Sequence, residues 1–239
     1  MGAHREDLRR AARPVSLAFV AAGASEGLVR ALAADLGIAI AGRFGAVGAM
    51  LDALEGGEQA DVVILTRAQI EQLAAQACIV RASAADLGAV ATSIAVRIAD
   101  PPPDVSTEEA FRAALLAADA IHYPDPAKAT AGIHFAAVLE KLGIAAAVAS
   151  RVRTHPNGRT AMRALAEATG HPIGCTQATE ILATPGLRLV GALPRGFGLD
   201  TVYTAAVDAR ARDRAGAEAF VRRLTGREER ERRATAGFH

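Results

Sequence analysis

Apolar residues in this chain come as short continuous runs that alternate with stretches of helical spacing. Ser16–Ala22 is such a run and predicts a buried strand. Ser25–Leu36 follows as a helix with Leu28, Leu32 and Leu36 on one face. Ile38–Phe44 predicts a second strand. Val47–Leu54 then reads as a helix whose Val47, Met50, Leu51 and Leu54 share a core face, stopped by Gly56 and Gly57. Asp61–Leu65, DVVIL, has the composition of a central parallel strand covered on both faces, and Arg67–Ala77 is helical. A strand–helix pair repeated three times predicts a doubly wound α/β sheet.

A second series begins after a break. Thr92–Ile98 alternates weakly and stops at Asp100-Pro101-Pro102-Pro103. Ser106-Thr107-Glu108-Glu109 spells a capping box that opens a helix through Leu116. The pattern then predicts a strand at Ala120–Tyr123, a helix over Ala131–Leu142, a strand near Val148–Arg153 and a helix over Thr160–Thr169. Strands follow at His171–Thr176, Leu187–Leu193 and Thr201–Ala206, then a helix over Ala215–Leu224. The charged stretch Arg227–Arg233, REERERR, interleaves acids with arginines, which predicts a solvated helix end and not a nucleic-acid arm. The Pro-rich break predicts two lobes: residues 15–94 with 205–239, and residues 95–204. Two crossings, near Ala91–Arg97 and Leu199–Asp208, would form the hinge. Residues 1–14 are expected to be disordered or loosely attached.

Composition narrows the function classes. The 239 residues suffice for one large α/β domain or for two lobes of about 100 to 120 residues. Hydrophobic residues make up 51%, but aromatics only 4% and tryptophan is absent, so the core rests on Ala, Leu, Val and Ile. A stacking-based nucleic-acid or sugar site would need aromatic faces. A net charge of +1 gives no electrostatic pull toward nucleic acid. No apolar run approaches the length of about 20 residues that spans a bilayer, so no membrane insertion is expected. The opening MGAHREDLRRAARP has no apolar core of a secretory signal. As the chain stands this predicts a cytoplasmic protein, and a periplasmic one if a leader preceded it. Cys78 and Cys175 lie far apart without metal-ligand spacing and are expected to be buried free thiols. No metal and no cofactor are expected.

The richest stretch is Ala118–Gly143, ADAIHYPDPAKATAGIHFAAVLEKLG. It predicts a buried strand, a polar turn, and a helix opening near Thr130-Ala131-Gly132. Helix starts expose unpaired N–H groups and the positive end of the dipole, which suit an anion. Similar openings occur at Ala22-Gly23-Ala24-Ser25, Gly45-Ala46-Val47-Gly48 and Asn157-Gly158-Arg159. Together they predict a cleft built from helix N-termini.

On the segments FVAAGASEGL, GRFGAVGAMLDALEGGEQADVVILT, YPDPAKATAGIHFAAVLEKLG and HPIGCTQATEILATPGLRLVGALP, the chain resembles the type II periplasmic binding proteins. The likeness is to the molybdate-binding group and its carboxylate-handling relatives, aconitate isomerase among them. It implies two lobes with an anion between them, and a membrane partner of ABC-transporter type if the protein is secreted. It also implies a site built from Gly23, Ala24 and Ser25, from Ala46 and Val47, from Thr130 and Ala131, and from Gly158 and Arg159. The molybdate binders have a serine-rich stretch where this chain has Ala46 and Val47, and their closing tyrosine falls at about Gln177. Losing those hydroxyls removes neutral donors for a metal oxyanion, whereas Arg159 offers a bidentate partner for a carboxylate.

Ser25 and Thr130 also read as natural helix caps. Thr66 joins the ligand-binding candidates because it ends a strand where α/β ligands commonly bind, and Thr176 and Gln177 join them as polar groups needing partners at the end of an apolar strand, which favours exposure to the cleft. Two functions fit. One is a solute-binding protein that needs only convergent donors. The other is an isomerase that moves a double bond next to a carboxylate, which needs a base and donors for an enolate-like intermediate. His134, Glu180 and Asp125 are the nominees for that base. His134 reads equally as a packing residue, His122 as a structural hydrogen-bonding group, and Asp125 as a turn former.

Overall fold

In the computed structural model, which describes residues 16–239, the first strand–helix series forms a parallel edge. Strand β1 (Ser16–Ala22) leads through a 3-10 turn to α1 (Glu26–Asp35), then β2 (Ala39–Gly45), α2 (Val47–Glu55), β3 (Val62–Thr66) and α3 (Arg67–Ala75). β1 lies between β2 and β3, parallel to both. Thr66 starts α3 with a full capping box, its hydroxyl accepting from the Gln69 N–H while the Gln69 side chain reaches back. The expectation for residues 1–14 lies outside the described residues.

The long strand β4 (Ala85–Arg97) carries the chain into the second series: α4 (Glu108–Ala117), β5 (Ile121–Pro124), α5 (Thr130–Lys141), α6 (Ala145–Val148), β6 (Val152–His155), α7 (Gly158–Glu167), β7 (Ile173–Gln177), α8 (Ala178–Leu182) and β8 (Leu187–Ala192). The chain closes with β9 (Asp200–Val207), α9 (Arg214–Thr225) and α10 (Arg230–Thr235). The strand order is β2-β1-β3-β9-β4-β7-β5-β6, with β8 on β4. β4 changes partner in its middle. Ala85–Ala91 pairs antiparallel with β9, whereas Thr92–Ala95 pairs with β7 and Ser93–Arg97 with β8. The α/β fold expected from the sequence is present, with antiparallel strands β4, β8 and β9 joining its parallel halves.

Two main cores sit on either side of that change. In one, Phe19 stacks on Phe44 and meets the Phe220 ring edge-on at 5.3 Å, among buried Leu17, Ile64, Leu65 and Val207. In the other, Phe111 and Phe135 are buried with Ile121, Leu139 and Val148. Each such phenyl ring contributes about 1.5–3 kcal/mol by leaving water.

Several local expectations need correction. The strand expected near Val148–Arg153 begins only at Val152, because Ala145–Val148 is helical and a 3-10 turn follows. Arg151 holds that turn by donating to the carbonyls of Leu116 and Ala118. Strand β4 starts well before Thr92. Its first half hides from periodicity because a register shift between Asp86 and Gly88, with Gly88 at φ +135°, breaks the alternation. Cys78 is exposed rather than buried, while Cys175 is buried. The REERERR stretch is not simply solvated. Glu229 is buried and paired with Arg223 and Arg232.

Candidate functional site

The starts of α2, α5 and α7 converge on one cavity. It is lined by Ala24, Ala46, Val47, Thr130, Ala131 and Gly158, with Thr176, Gln177, Glu180 and Tyr203 behind them. Its volume is about 20 Å³, room for about one water molecule. Helices α2 and α5 begin on Ala46 and Ala129, which have no side chain to accept from the first turn. Their leading N–H groups therefore depend on backbone, solvent or a bound acceptor. One is already used: Gly48 N–H donates to the Lys128 carbonyl at 2.9 Å. This contact, with the Lys128–Asp52 ion pair, draws α2 against the turn before α5 and holds the cavity nearly shut. Gly48 permits that approach, since a Cβ there would lie 2.9 Å from the Lys128 oxygen.

Polar side chains line the far wall. Gln177, 3% exposed, donates from Nε2 to the Thr201 hydroxyl at 3.3 Å, and its Oε1 has no partner. Because a hydroxyl either donates or accepts, the amide satisfies Thr201 in both orientations and turns either Oε1 or Nε2 loose. Thr92, directly opposite Gln177 across β4 and β7, also has an unpartnered buried hydroxyl.

Glu180, 8% exposed, is the carboxyl of this wall. Burial pushes it up to about 7, against the Thr176 hydroxyl and the backbone N–H groups of Gln177 and Arg159, which favour the ionised form; the Glu26 charge adds to the rise. The Thr176 hydroxyl donates to Oε2 at 2.5 Å. The carboxyl lies flat against two glycines. A Cβ on Gly158 would fall 1.9 Å from Oε2, and one on Gly23 would fall 2.8 Å from Oε1. Tyr203 next to it is fully buried, and burial followed by the Glu180 charge raises its hydroxyl.

On the other side of Glu180 is an outer groove of about 240 Å³, where Gly23 and Arg159 are found with Glu26, Arg30, Arg163 and Thr179. Arg159 pairs with Glu26, which also accepts from Arg30 Nε at 2.8 Å. Burial pushes the Glu26 carboxyl up, but the Arg159 and Arg30 guanidiniums outweigh it and hold it below its ordinary value. Sequence reasoning missed Glu26, Arg30 and Arg163, and the only available signal was their i, i+4 spacing from Glu26 to Arg30 and from Arg159 to Arg163.

The remaining candidates lie elsewhere. Ser25 is fully buried and its hydroxyl donates to the Ala22 carbonyl at 2.8 Å. Thr66 is spent on the α3 cap. His134 Nε2 is 2.7 Å from the Phe197 carbonyl, and Asp125 accepts from the Ala127 and Lys128 N–H groups. Of the three nominated bases, the cavity lining includes Glu180 alone. His122 stacks on His155 with Nδ1 and Nε2 3.1 Å apart. Burial, then the neighbouring His155 and Arg153, lower His122 to about 4. Among the described residues, no group of three His, Cys, Asp or Glu side chains is placed to hold a metal ion, and no single helix is long and apolar enough to cross a membrane.

Residues 17–239 match the family model of bacterial extracellular solute-binding proteins. Aconitate isomerase from Pseudomonas sp is 27% identical over 175 residues, covering 72% of this chain and 64% of the isomerase. The chain thus matches just under two thirds of that relative's length. Among solved structures, the periplasmic molybdate-binding protein of Azotobacter vinelandii superposes with a TM-score of 0.75 at 18% identity, over 93% of this chain and 98% of its own. The sulfate-binding protein SubI of Mycobacterium tuberculosis gives 0.69 at 18% identity, over 94% and 86%. At such identities the likeness is one of fold.

Proposed function

The chain belongs to the bacterial extracellular solute-binding proteins, and from that premise we propose that it closes over one small anion where α2, α5 and α7 begin. The observation that carries this reading is the pair of alanine-capped helix starts opening on a cavity with an unpartnered Gln177 amide. Backbone N–H groups are fixed donors that need no counter-charge, and an anion completes them. The ligand is a carboxylate. Neither Ala46 nor Val47 supplies a hydroxyl, the Thr176 hydroxyl is taken by Glu180, only Thr130 and Tyr203 remain as lining hydroxyls, and a flipped Gln177 amide suits a planar acceptor better than a tetrahedral oxyanion that needs donors all round. The lobes are residues 15–94 with 205–239 and residues 95–204, a division supported by the separate cores and by the partner change within β4. In this reading the partner is the membrane component of an ABC transporter and the location is periplasmic, as for a secreted member of the family.

Thermal-shift and calorimetric titration with mono-, di- and tricarboxylates, sulfate and molybdate test the proposal. A ligand at 100 times its Kd should stabilise by about 2.7 kcal/mol. Tighter binding of molybdate than of every carboxylate would overturn the ligand class, and no stabilisation by any anion would overturn the reading itself.

One observation favours a second reading, a carbon–carbon double-bond isomerase. Glu180 lines the cavity and is held near neutrality, where a carboxyl both takes and returns a proton at ordinary pH. It would accept a proton from a C–H next to a carboxylate and return it at the other end of the allylic unit, with the helix N-termini stabilising the intermediate charge. NMR in D₂O separates the two: deuterium entering the ligand at carbon supports the isomerase, and unexchanged ligand leaves the binder.

A further inference from the structure

The outer groove has chemistry of its own that the cavity reading does not use. Three guanidiniums, those of Arg30, Arg159 and Arg163, line it with Glu26. Glu26 draws on two of them, and Arg163 has no ion-pair partner among the described residues. Thr179, 5% exposed, stands in the groove wall with its hydroxyl unpartnered. A buried hydroxyl without a partner is rare in folded proteins and points to an absent acceptor or donor. Glu180 and Thr184 complete the polar lining, and the other surfaces are small or apolar: Gly23, Gly27, Ala183 and Pro185.

We propose that this groove is a second binding site, for a small organic polycarboxylate, separate from the helix-start cavity by the thickness of the Glu180 side chain. One carboxylate spans Arg163 and Arg159, and a second meets Arg30. Guanidinium forks match planar carboxylates in a bidentate fashion. The volume lies just under the range of drug-sized sites, which suits a small acid and excludes a nucleotide. The lining has no aromatic side chain on which a base would stack. The occupant would touch α1 on one side and α7 and α8 on the other, so it would tie the two halves of the sheet together.

Side-chain Nε–Hε NMR signals of the arginines read this site directly, with citrate as the probe. Saturable shifts confined to Arg30, Arg159 and Arg163 are expected, and Arg163→Ala should weaken citrate at least tenfold while Arg163→Lys recovers part of the loss. Arg163 is exposed at the surface of α7, so its removal leaves the fold intact. No saturation at millimolar citrate, or equal affinity in the wild type and Arg163→Ala, would overturn the proposal. The cavity is read separately, on the backbone amides of Val47 and Thr130. Failure of the groove therefore leaves the cavity reading standing, and failure of the cavity leaves the groove.

Discussion

The helix-start cavity and the outer groove share Glu180 and little else. Beside that carboxyl the cavity offers backbone N–H groups, small apolar side chains, the Gln177 amide and the hydroxyls of Thr130, Thr176 and Tyr203; the groove offers three guanidiniums, the Glu26 carboxylate and two threonines. Enclosing an arginine strips its hydration at a cost of several kcal/mol unless an anion is always there to meet it. Fixed peptide dipoles carry no net charge and pay little of that cost when the cavity is empty. The difference teaches that, of these two regions, the one that carries the arginine charge is the one water can reach, while in the proposed reading the closed cavity would meet an anion with neutral donors.

The partition between the two regions should show the largest effect. Glu180 has a folded-state value of about 7 against an ordinary value of 4.5. The native state therefore holds the extra proton between those values, and stability falls as pH rises from about 4.5 to 7, by about 3 kcal/mol in all. Glu180→Gln should abolish that slope in urea titrations. A slope unchanged by the substitution would mean that Glu180 ionises freely and does not wall off the cavity. His122 works in the opposite sense: lowered to about 4, it favours the native state above pH 6.5 and weakens it as pH falls toward 4.

Gly158→Ala comes next, because its Cβ would collide with Glu180 and with Thr176 Oγ1 at 2.2 Å. Overpacking of this kind costs about 1–3 kcal/mol, and chevron or equilibrium denaturation reads it. Wild-type stability would show that the carboxyl is not seated against Gly158. Gln177→Ala should weaken the cavity ligand about five- to tenfold, the worth of one hydrogen bond, with citrate shifts at the groove arginines unchanged. Weakening at both sites together would merge what is here kept apart. The smallest effect belongs to Arg30→Ala. Its pair with Glu26 is more than half exposed on the arginine side, so folding stability should change by less than about 1 kcal/mol, and a larger loss would give the groove a structural role.

The sequence made the helix starts legible because a strand–turn–helix opening is a local pattern. Val47, Thr130 and Gly158 each open a helix where apolar runs and turn residues said one would. The groove was illegible for the converse reason. Glu26 on α1 meets Arg159 on α7 only where the two halves of the sheet come together, and no spacing rule connects α1 with α7. Arg159 itself was readable as a carboxylate partner, but which side of Glu180 it faces depends on a backbone approach at two glycines. Cys78 shows another limit: an apolar neighbourhood in sequence says little at a helix end, where the thiol turns outward.

The partner change within β4 sets how the protein can move. Because a single strand is hydrogen-bonded to β9 up to Ala91 and to β7 and β8 from Thr92 onward, neither half of the sheet is free to slide along the other. The Thr92 N–H also holds the Leu199 carbonyl of the returning chain, so both crossings are stitched at the same level. Mechanically this is a leaf spring clamped at both ends. In the proposed two-lobe reading, opening would be a bend or twist of a few backbone torsions beside Ala91 and Thr92, and a small rotation there would be magnified by leverage at the Gly48–Lys128 rim.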